Sequence, residues 1–162
     1  TLVWGPGNII MAESIFKYIY KNIYFHPQND NTVRSYGYVD NVCFQILKLC
    51  SLDALEIDNR VFYLADNNIL QFEWIELASK LMGKGNTRTI SKNFLKTASF
   101  FGDFIKKYYS SFPLYTERYL NLTTSNPVPL DKTFFYCGLP QVSLNDAMLR
   151  TIKWLKTYYE NN

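Results

Sequence analysis

The run Arg34-Ser35-Tyr36-Gly37-Tyr38-Val39-Asp40-Asn41 holds the residues of this chain best suited to chemistry. Alternation over 34–38 predicts a short strand with Tyr36 and Tyr38 on one side, and Asp40 is expected to cap the helix that follows. Such a strand holds Arg34 rigidly, and a fixed guanidinium can donate two parallel hydrogen bonds to a phosphate or carboxylate. The alternative is a surface arginine at a strand end. Tyr36 reads either as a wall of the same cleft or as a core aromatic. The one histidine, His26, lies beside Pro27 in a polar stretch without companions for a zinc site, so no metal is expected. Cys43, Cys50 and Cys137 form no Cys-x-x-Cys; Cys43 and Cys50 fall two turns apart on one helix face. Burial as free thiols, and a cytoplasmic setting, are the expectation.

The length of 162 residues suits one domain with a sizeable core. An apolar share of 48% against 19% charged excludes a disordered chain, and the 17% of aromatics points to aromatic-lined surfaces as well as an aromatic core. The net charge of +3 is small and scattered, so no nucleic-acid partner is expected. No run of about 18 apolar residues occurs, and no membrane partner is expected. The chain opens at Thr1 within an apolar run, and the expectation is a fragment of a longer protein.

These candidates must be positioned by the surrounding elements. Thr1–Trp4 reads as the tail of a strand, Gly5-Pro6-Gly7-Asn8 as a turn, and a helix is expected from there to about Lys21. Residues 24–33 read as a polar loop. The helix from about Asp40 to Ser51 is apolar nearly all round, which predicts burial on more than one side. Val61–Ala65, bounded by Asp58-Asn59 and Asp66-Asn67-Asn68, has the pattern of an interior parallel strand. An amphipathic helix over Gln71–Met82, stopped by Gly83, is followed by a short strand near Thr87–Ile90. Ser91 then opens the most periodic helix in the chain. Its stripe of Phe94, Ala98, Phe101, Ile105 and Tyr108 is read as core-facing, with Lys92, Lys96, Lys106 and Lys107 on a solvated back; a helix lying on a membrane surface is the less favoured alternative. Pro113 breaks that pattern, and a mixed segment, Tyr115–Thr124, carries Arg118. A short helix over Asp131–Cys137 and a last helix opened by Ser143 and Asp146 close the chain, with Trp154 as a packing residue.

Four of these segments, in this order, resemble the extended short-chain dehydrogenase/reductase family, the nucleotide-sugar epimerases and dehydratases. They are Gly5-Pro6-Gly7, the Arg34 strand with Val39-Asp40-Asn41, the Val61 strand with its following helix, and the closing run Gly138-Leu139-Pro140-Gln141-Val142-Ser143-Leu144 with Thr151 and Trp154. The resemblance implies an α/β fold: the C-terminal part of a doubly wound, Rossmann-type sheet plus a small, mostly helical substrate-binding lobe. Residues 1–162 would be the substrate-binding portion, with the N-terminal dinucleotide-binding part absent from this chain. No Gly-x-x-Gly-x-x-Gly and no Tyr-x-x-x-Lys occurs, so no catalytic residue and no cofactor bound by this segment alone is expected. NAD or NADP belongs to the parent protein.

By the same resemblance Arg34 contacts a substrate diphosphate, Tyr36 lines the substrate site, and Thr1 and Leu2 border the cofactor. Arg118 is either a second substrate arginine or a surface salt bridge. Leu2 departs from the pattern, because many nucleotide-sugar members place there an Asn whose amide touches the sugar; leucine admits an apolar substrate. The expected function is therefore the substrate-binding half of an NAD(P)-dependent nucleotide-sugar epimerase or dehydratase. The parent would be an enzyme and this segment alone inactive. A reductase of the same fold acting on an apolar alcohol or ketone, and a non-catalytic binding module, are the alternatives. Expected partners are a nucleotide sugar, the missing half, and a second copy of the chain in a homo-oligomer.

Overall fold

The computed structural model describes residues 1–109, 112 and 114–161; Pro113, expected to break the helical pattern, lies outside them. Strand β1 (Leu2–Trp4) ends in a turn from which three helical segments run on without a break: Ile9–Met11, a π-wound turn Ala12–Phe16, and Lys17–Tyr20, together α1. Asn8 starts this helix by accepting from the Met11 N–H at 3.0 Å and donating to the Val3 carbonyl at 2.9 Å. The chain then forms β2 (Phe25–Pro27) and β3 (Val33–Tyr38) and enters α2 (Val39–Cys50) directly. A one-turn helix α3 (Ala54–Ile57), strand β4 (Asn67–Leu70), helix α4 (Gln71–Leu81), strand β5 (Arg88–Ile90) and helix α5 (Lys92–Lys106) follow. Three helices finish the chain: α6 (Thr116–Thr123), α7 (Asp131–Cys137) and α8 (Leu144–Glu160).

Strand β3 is central in the larger sheet, whose order is β1-β3-β4. It runs parallel to β1, with Leu2 opposite Tyr36, and antiparallel to β4, with Arg34 opposite Ile69. The parallel pair requires a crossover, and α1 provides it. A second, two-stranded parallel sheet joins β2 to β5. Helices cover both faces of β3, as a doubly wound arrangement requires. On one face Trp4, Tyr36 and Tyr38 pack with Phe16 of α1, Trp74 and Ile75 of α4, and Met148 and Leu155 of α8. Trp74 is the hub of that layer. Tyr36 stacks on it at 4.7 Å and 9°, and Trp4 meets it edge-on at 5.2 Å and 87°.

The opposite face of β3 is built around Gly37. A side chain there would lie 2.6 Å from Val42 of α2 and 3.2 Å from the Ala65 backbone, so only glycine lets both approach. Asn41, fully buried in the first turn of α2, holds the end of the chain. Its carbonyl oxygen accepts from the Gln141 and Val142 N–H groups at 3.1 and 2.9 Å, and its amide donates to the Val142 carbonyl at 2.9 Å. Ser143 then caps α8, accepting from the Asp146 N–H at 3.1 Å.

Several expectations are corrected. Val61–Ala65 is irregular chain, and the strand that follows, β4, is antiparallel. The carbonyls of Tyr63 and Ala65 accept from the Thr133 hydroxyl at 2.7 Å and the Gln45 amide at 2.9 Å, so side chains take the place of a neighbouring strand. Helix α2 buries Asn41, Val42 and Gln45 but leaves Ile46 and Leu47 exposed, because one face alone meets β3 and α7. Cys43 and Cys50 are therefore exposed; the buried thiol is Cys137. Asp40 sits in the first turn of α2, while Tyr38 occupies the cap position and Arg150 approaches the Asp40 carboxylate at 3.4 Å. The 24–33 stretch contains β2 and a buried polar network in place of a solvated loop. Tyr115–Thr124 is largely helical, capped from across the chain by Asp103, whose carboxylate accepts from the Thr116 N–H at 3.0 Å.

The largest correction concerns α5. Its buried residues are Leu95, Ser99 and Gly102, and the stripe of Phe94, Phe101, Ile105 and Tyr108 faces outward. The reason lies at Gly102, where a side chain would reach within 1.7 Å of the Leu114 carbonyl oxygen. Close backbone approach selects the face of small residues, whatever the strength of the opposite stripe.

Two outcomes follow for stability. Trp74→Ala removes the ring shared by β1, α1 and β3, and should cost about 3–5 kcal/mol in equilibrium urea unfolding. The second concerns Asp66, which accepts from the Tyr38 N–H at 2.7 Å; burial raises its pKa from 3.8 to about 6. Between those values the folded state keeps a proton that the unfolded state has released, so this group's contribution to stability falls as pH rises through the window. Asp66→Asn keeps an acceptor for Tyr38 and removes the charge. The variant should unfold at higher urea than the parent above pH 6, and the difference should vanish toward the lower value; a constant difference would refute the assignment.

Candidate functional site

The parallel β1–β3 pair, the π-wound part of α1 and helix α6 enclose one cleft of about 650 Å³. Arg34 and Tyr36 reach it from β3, Leu2 from β1 and Thr1 from just before it, while Arg118 reaches it from α6. All five residues singled out in the sequence thus line a single cavity. Helix α6 reaches β3 through a segment that docks on the strand itself. The Val33 N–H donates to the Ser125 hydroxyl at 3.0 Å, the Asn126 N–H to the Val33 carbonyl at 3.0 Å, and the Val128 N–H to the Ser35 hydroxyl at 2.9 Å. Asn68 of β4 completes the clasp, accepting from Ser35 at 2.5 Å and donating to the Val128 carbonyl at 3.0 Å. A long excursion of chain is thereby returned to within reach of Arg34.

Both arginines are half-buried. Among the described residues no carboxylate lies within ion-pair distance of the Arg34 guanidinium. Tyr36 is at once core and cleft wall: its ring stacks on Trp74, and burial pushes its phenol above the usual range. The apolar part of the cleft comes from Leu2, Ile10, Ile15, Ile23 and Leu95.

Residues not singled out in the sequence also contribute. Met11, Ser14, Ile15 and Tyr18 line the cleft from α1, and their three- and four-residue spacing is a helical period that was legible. A π-turn at this point resets which side chains face the cavity. Tyr24 had no such signal. Its hydroxyl lies 3.0 Å from His26 Nδ1, and His26 Nε2 lies 3.1 Å from the buried Asp30 carboxylate. Since a carboxylate only accepts, Nε2 carries the proton, and Nδ1 accepts from the Tyr24 hydroxyl. Thr32 and Lys92 also donate to Asp30, at 2.7 and 3.1 Å. Burial lowers the His26 pKa and holds the ring neutral, and Tyr24 is raised by burial as well. The stretch that reads as a loop is therefore held by a buried polar network, and it lines the cleft through Tyr24 and Phe25.

The residues do not fit a cradle for a dinucleotide pyrophosphate. The strand-to-helix turn has glycines at 5 and 7, but the space at Gly5 is filled by Val39, 2.8 Å from where a side chain would start. The turn with Gly83 and Gly85 leads into strand β5 instead of a helix. Among the described residues no group of three or more His, Cys, Asp and Glu is placed to hold a metal ion, and no helix is long and apolar enough to cross a membrane.

No protein-family model matches the sequence, and no curated protein matches it. Solved structures do match in fold. The UDP-glucuronic acid 4-epimerase from Bacillus cereus in complex with NAD superposes with a TM-score of 0.63 at 13% identity, over 98% of this chain and 43% of that one. The UDP-glucose 4-epimerase from Thermotoga maritima with UDP-glucose gives 0.62 at 16% identity, over 98% and 44%. The human epimerase family protein SDR39U1 with NADPH gives 0.64 at 10% identity, over 94% and 46%. The chain spans less than half the length of each. It has the mixed α/β fold of the C-terminal part of these Rossmann-like epimerase structures.

Proposed function

We propose that this chain is the substrate-binding part of an NAD(P)-dependent epimerase or dehydratase acting on a nucleotide-activated sugar, in which Arg34 clamps the substrate diphosphate. The observation that carries this reading is the convergence of Arg34 and Arg118, from distant parts of the chain, on one cleft. Two guanidiniums over one cavity suit a diphosphate, whose oxygens accept bidentate hydrogen bonds. The structures of similar fold, one with UDP-glucose and others with NAD, support the same substrate class. In this reading the hydride carrier and its proton-transfer groups belong to a dinucleotide-binding half packed near Thr1 and Leu2, and NAD supplies only the redox step there. The outer edge of β1 has no strand neighbour among the described residues, which is consistent with a partner there. In the chain alone a second copy would cover that edge.

A second reading is favoured by the apolar side of the cleft. Leu2, with Ile10, Ile15 and Ile23 around it, offers no hydrogen bond to a sugar hydroxyl. A reductase of the same fold acting on an apolar alcohol or ketone would use that wall.

Titration of uridine diphosphate into the protein carrying both halves separates the two. Loss of a charge-assisted pair in a partly desolvated cleft costs on the order of 2–4 kcal/mol, so Arg34→Ala should weaken binding roughly 30- to 1,000-fold. Arg34→Lys should recover only part of this, because an ammonium lacks the planar fork. Cofactor affinity should stay nearly constant. Equal uridine diphosphate affinity in parent and Arg34→Ala proteins would remove the clamp from this residue and favour the apolar substrate.

A further inference from the structure

Helix α5 turns its apolar stripe away from the protein. Phe101 is 62% exposed, Phe104 61% and Tyr108 82%, and Phe94, Phe100 and Tyr109 are exposed beside them. The charge on the same segment is one-sided. Lys96 and Lys107 stand exposed beside this face, next to Phe100 on the helix surface, and Lys92 and Lys106 lie nearer the protein. The segment's single carboxylate, Asp103, is engaged by the Thr116 N–H and hydroxyl. Asp30, buried, takes the Lys92 ammonium at 3.1 Å, and Lys106 lies 3.4 Å over the Tyr115 ring. The exposed lysines therefore stand at one edge of the aromatic face, on its Phe100 side.

We propose that α5 is a membrane-docking surface that lies in the plane of an anionic lipid bilayer. Phenylalanine and tyrosine rings enter the headgroup–acyl boundary, where an apolar ring body and a phenol tip both find partners. Lys96 and Lys107 pair with anionic headgroups at the edge of the same face. The helix lies on the bilayer and does not span it, which agrees with its length and with the buried side of Leu95, Ser99 and Gly102 that fixes it to the protein. Charge complementarity decides for lipid over a second copy of the chain. Two copies meeting through this face would bring like-charged lysines together, whereas an anionic surface neutralises them.

Co-sedimentation with vesicles tests the proposal. Vesicles of phosphatidylcholine with about one third phosphatidylserine should capture the chain at low salt, and phosphatidylcholine alone should capture much less. Lys96→Gln with Lys107→Gln should weaken capture about 30-fold, and Phe101→Ser with Phe104→Ser should abolish it. Because all four side chains are exposed, circular dichroism should be unchanged in these variants. No capture of the parent chain, equal capture by neutral and anionic vesicles, or capture indifferent to the Phe pair would each overturn the proposal. A lipid-free dimer dissolved by Phe101→Ser with Phe104→Ser would also overturn it, by showing that the face belongs to a second copy.

Discussion

The structure depends on the stack of Tyr36 against Trp74, with ring centroids 4.7 Å apart and 9° between planes. It sets which way β3 faces. With Tyr36 on the aromatic layer, pleating sends Arg34 and Tyr38 to the same side and Gly37 to the other. A register shift of one residue would bring Ser35 and Gly37 to the core and turn Arg34 and Tyr36 away from the cleft. The stack also ties α4 to β3, and through Trp4 and Phe16 it fixes β1 and α1. One pair of rings thus positions three walls of the cavity.

The fourth wall depends on a different kind of bond. Helix α6 has no fully buried residue; it rests against α5, and hydrogen bonds hold its ends. Asp103 caps its start from α5, and the Ser125–Val128 segment clasps β3 at its finish. Arg118 faces Arg34's cavity because both ends of its helix are held by polar groups. Such an element is easier to displace than the aromatic layer, since each neutral hydrogen bond contributes only about 1 kcal/mol net. The cleft therefore has a rigid side, carrying Arg34 and Tyr36, and a more compliant side, carrying Arg118.

Helix α5 separates two quantities that a hydrophobic pattern mixes. Periodicity identifies the apolar face of a helix, and burial follows only where the rest of the chain offers a matching surface. Here the neighbouring chain offers the backbone at Leu114, which can approach only a glycine. Helix α2 repeats the lesson on a smaller scale, where the small groove at Gly37 admits Val42 and leaves Ile46 and Leu47 outside.

Local rules carried much of this molecule. Asn8 and Ser143 cap helices as their types require, α4 and α7 span nearly the residues their patterns mark, and the Arg34 strand alternates as expected. These features depend on neighbours within a few positions, so the sequence alone determines them. Resemblance marked Arg34, Tyr36 and Arg118 as substrate candidates and Thr1 and Leu2 as cofactor neighbours; that all five line one cleft has no local cause, and tertiary packing brings them together. Tertiary structure alone decided three further matters. The Val61 run lost its strand because side chains of α2 and α7 claimed its carbonyls. His26 became a buried residue behind the cleft wall because Tyr24 and Asp30 satisfy both of its nitrogens. The aromatic stripe of α5 faced outward because backbone contact competes on distance, and there the smallest side chain wins.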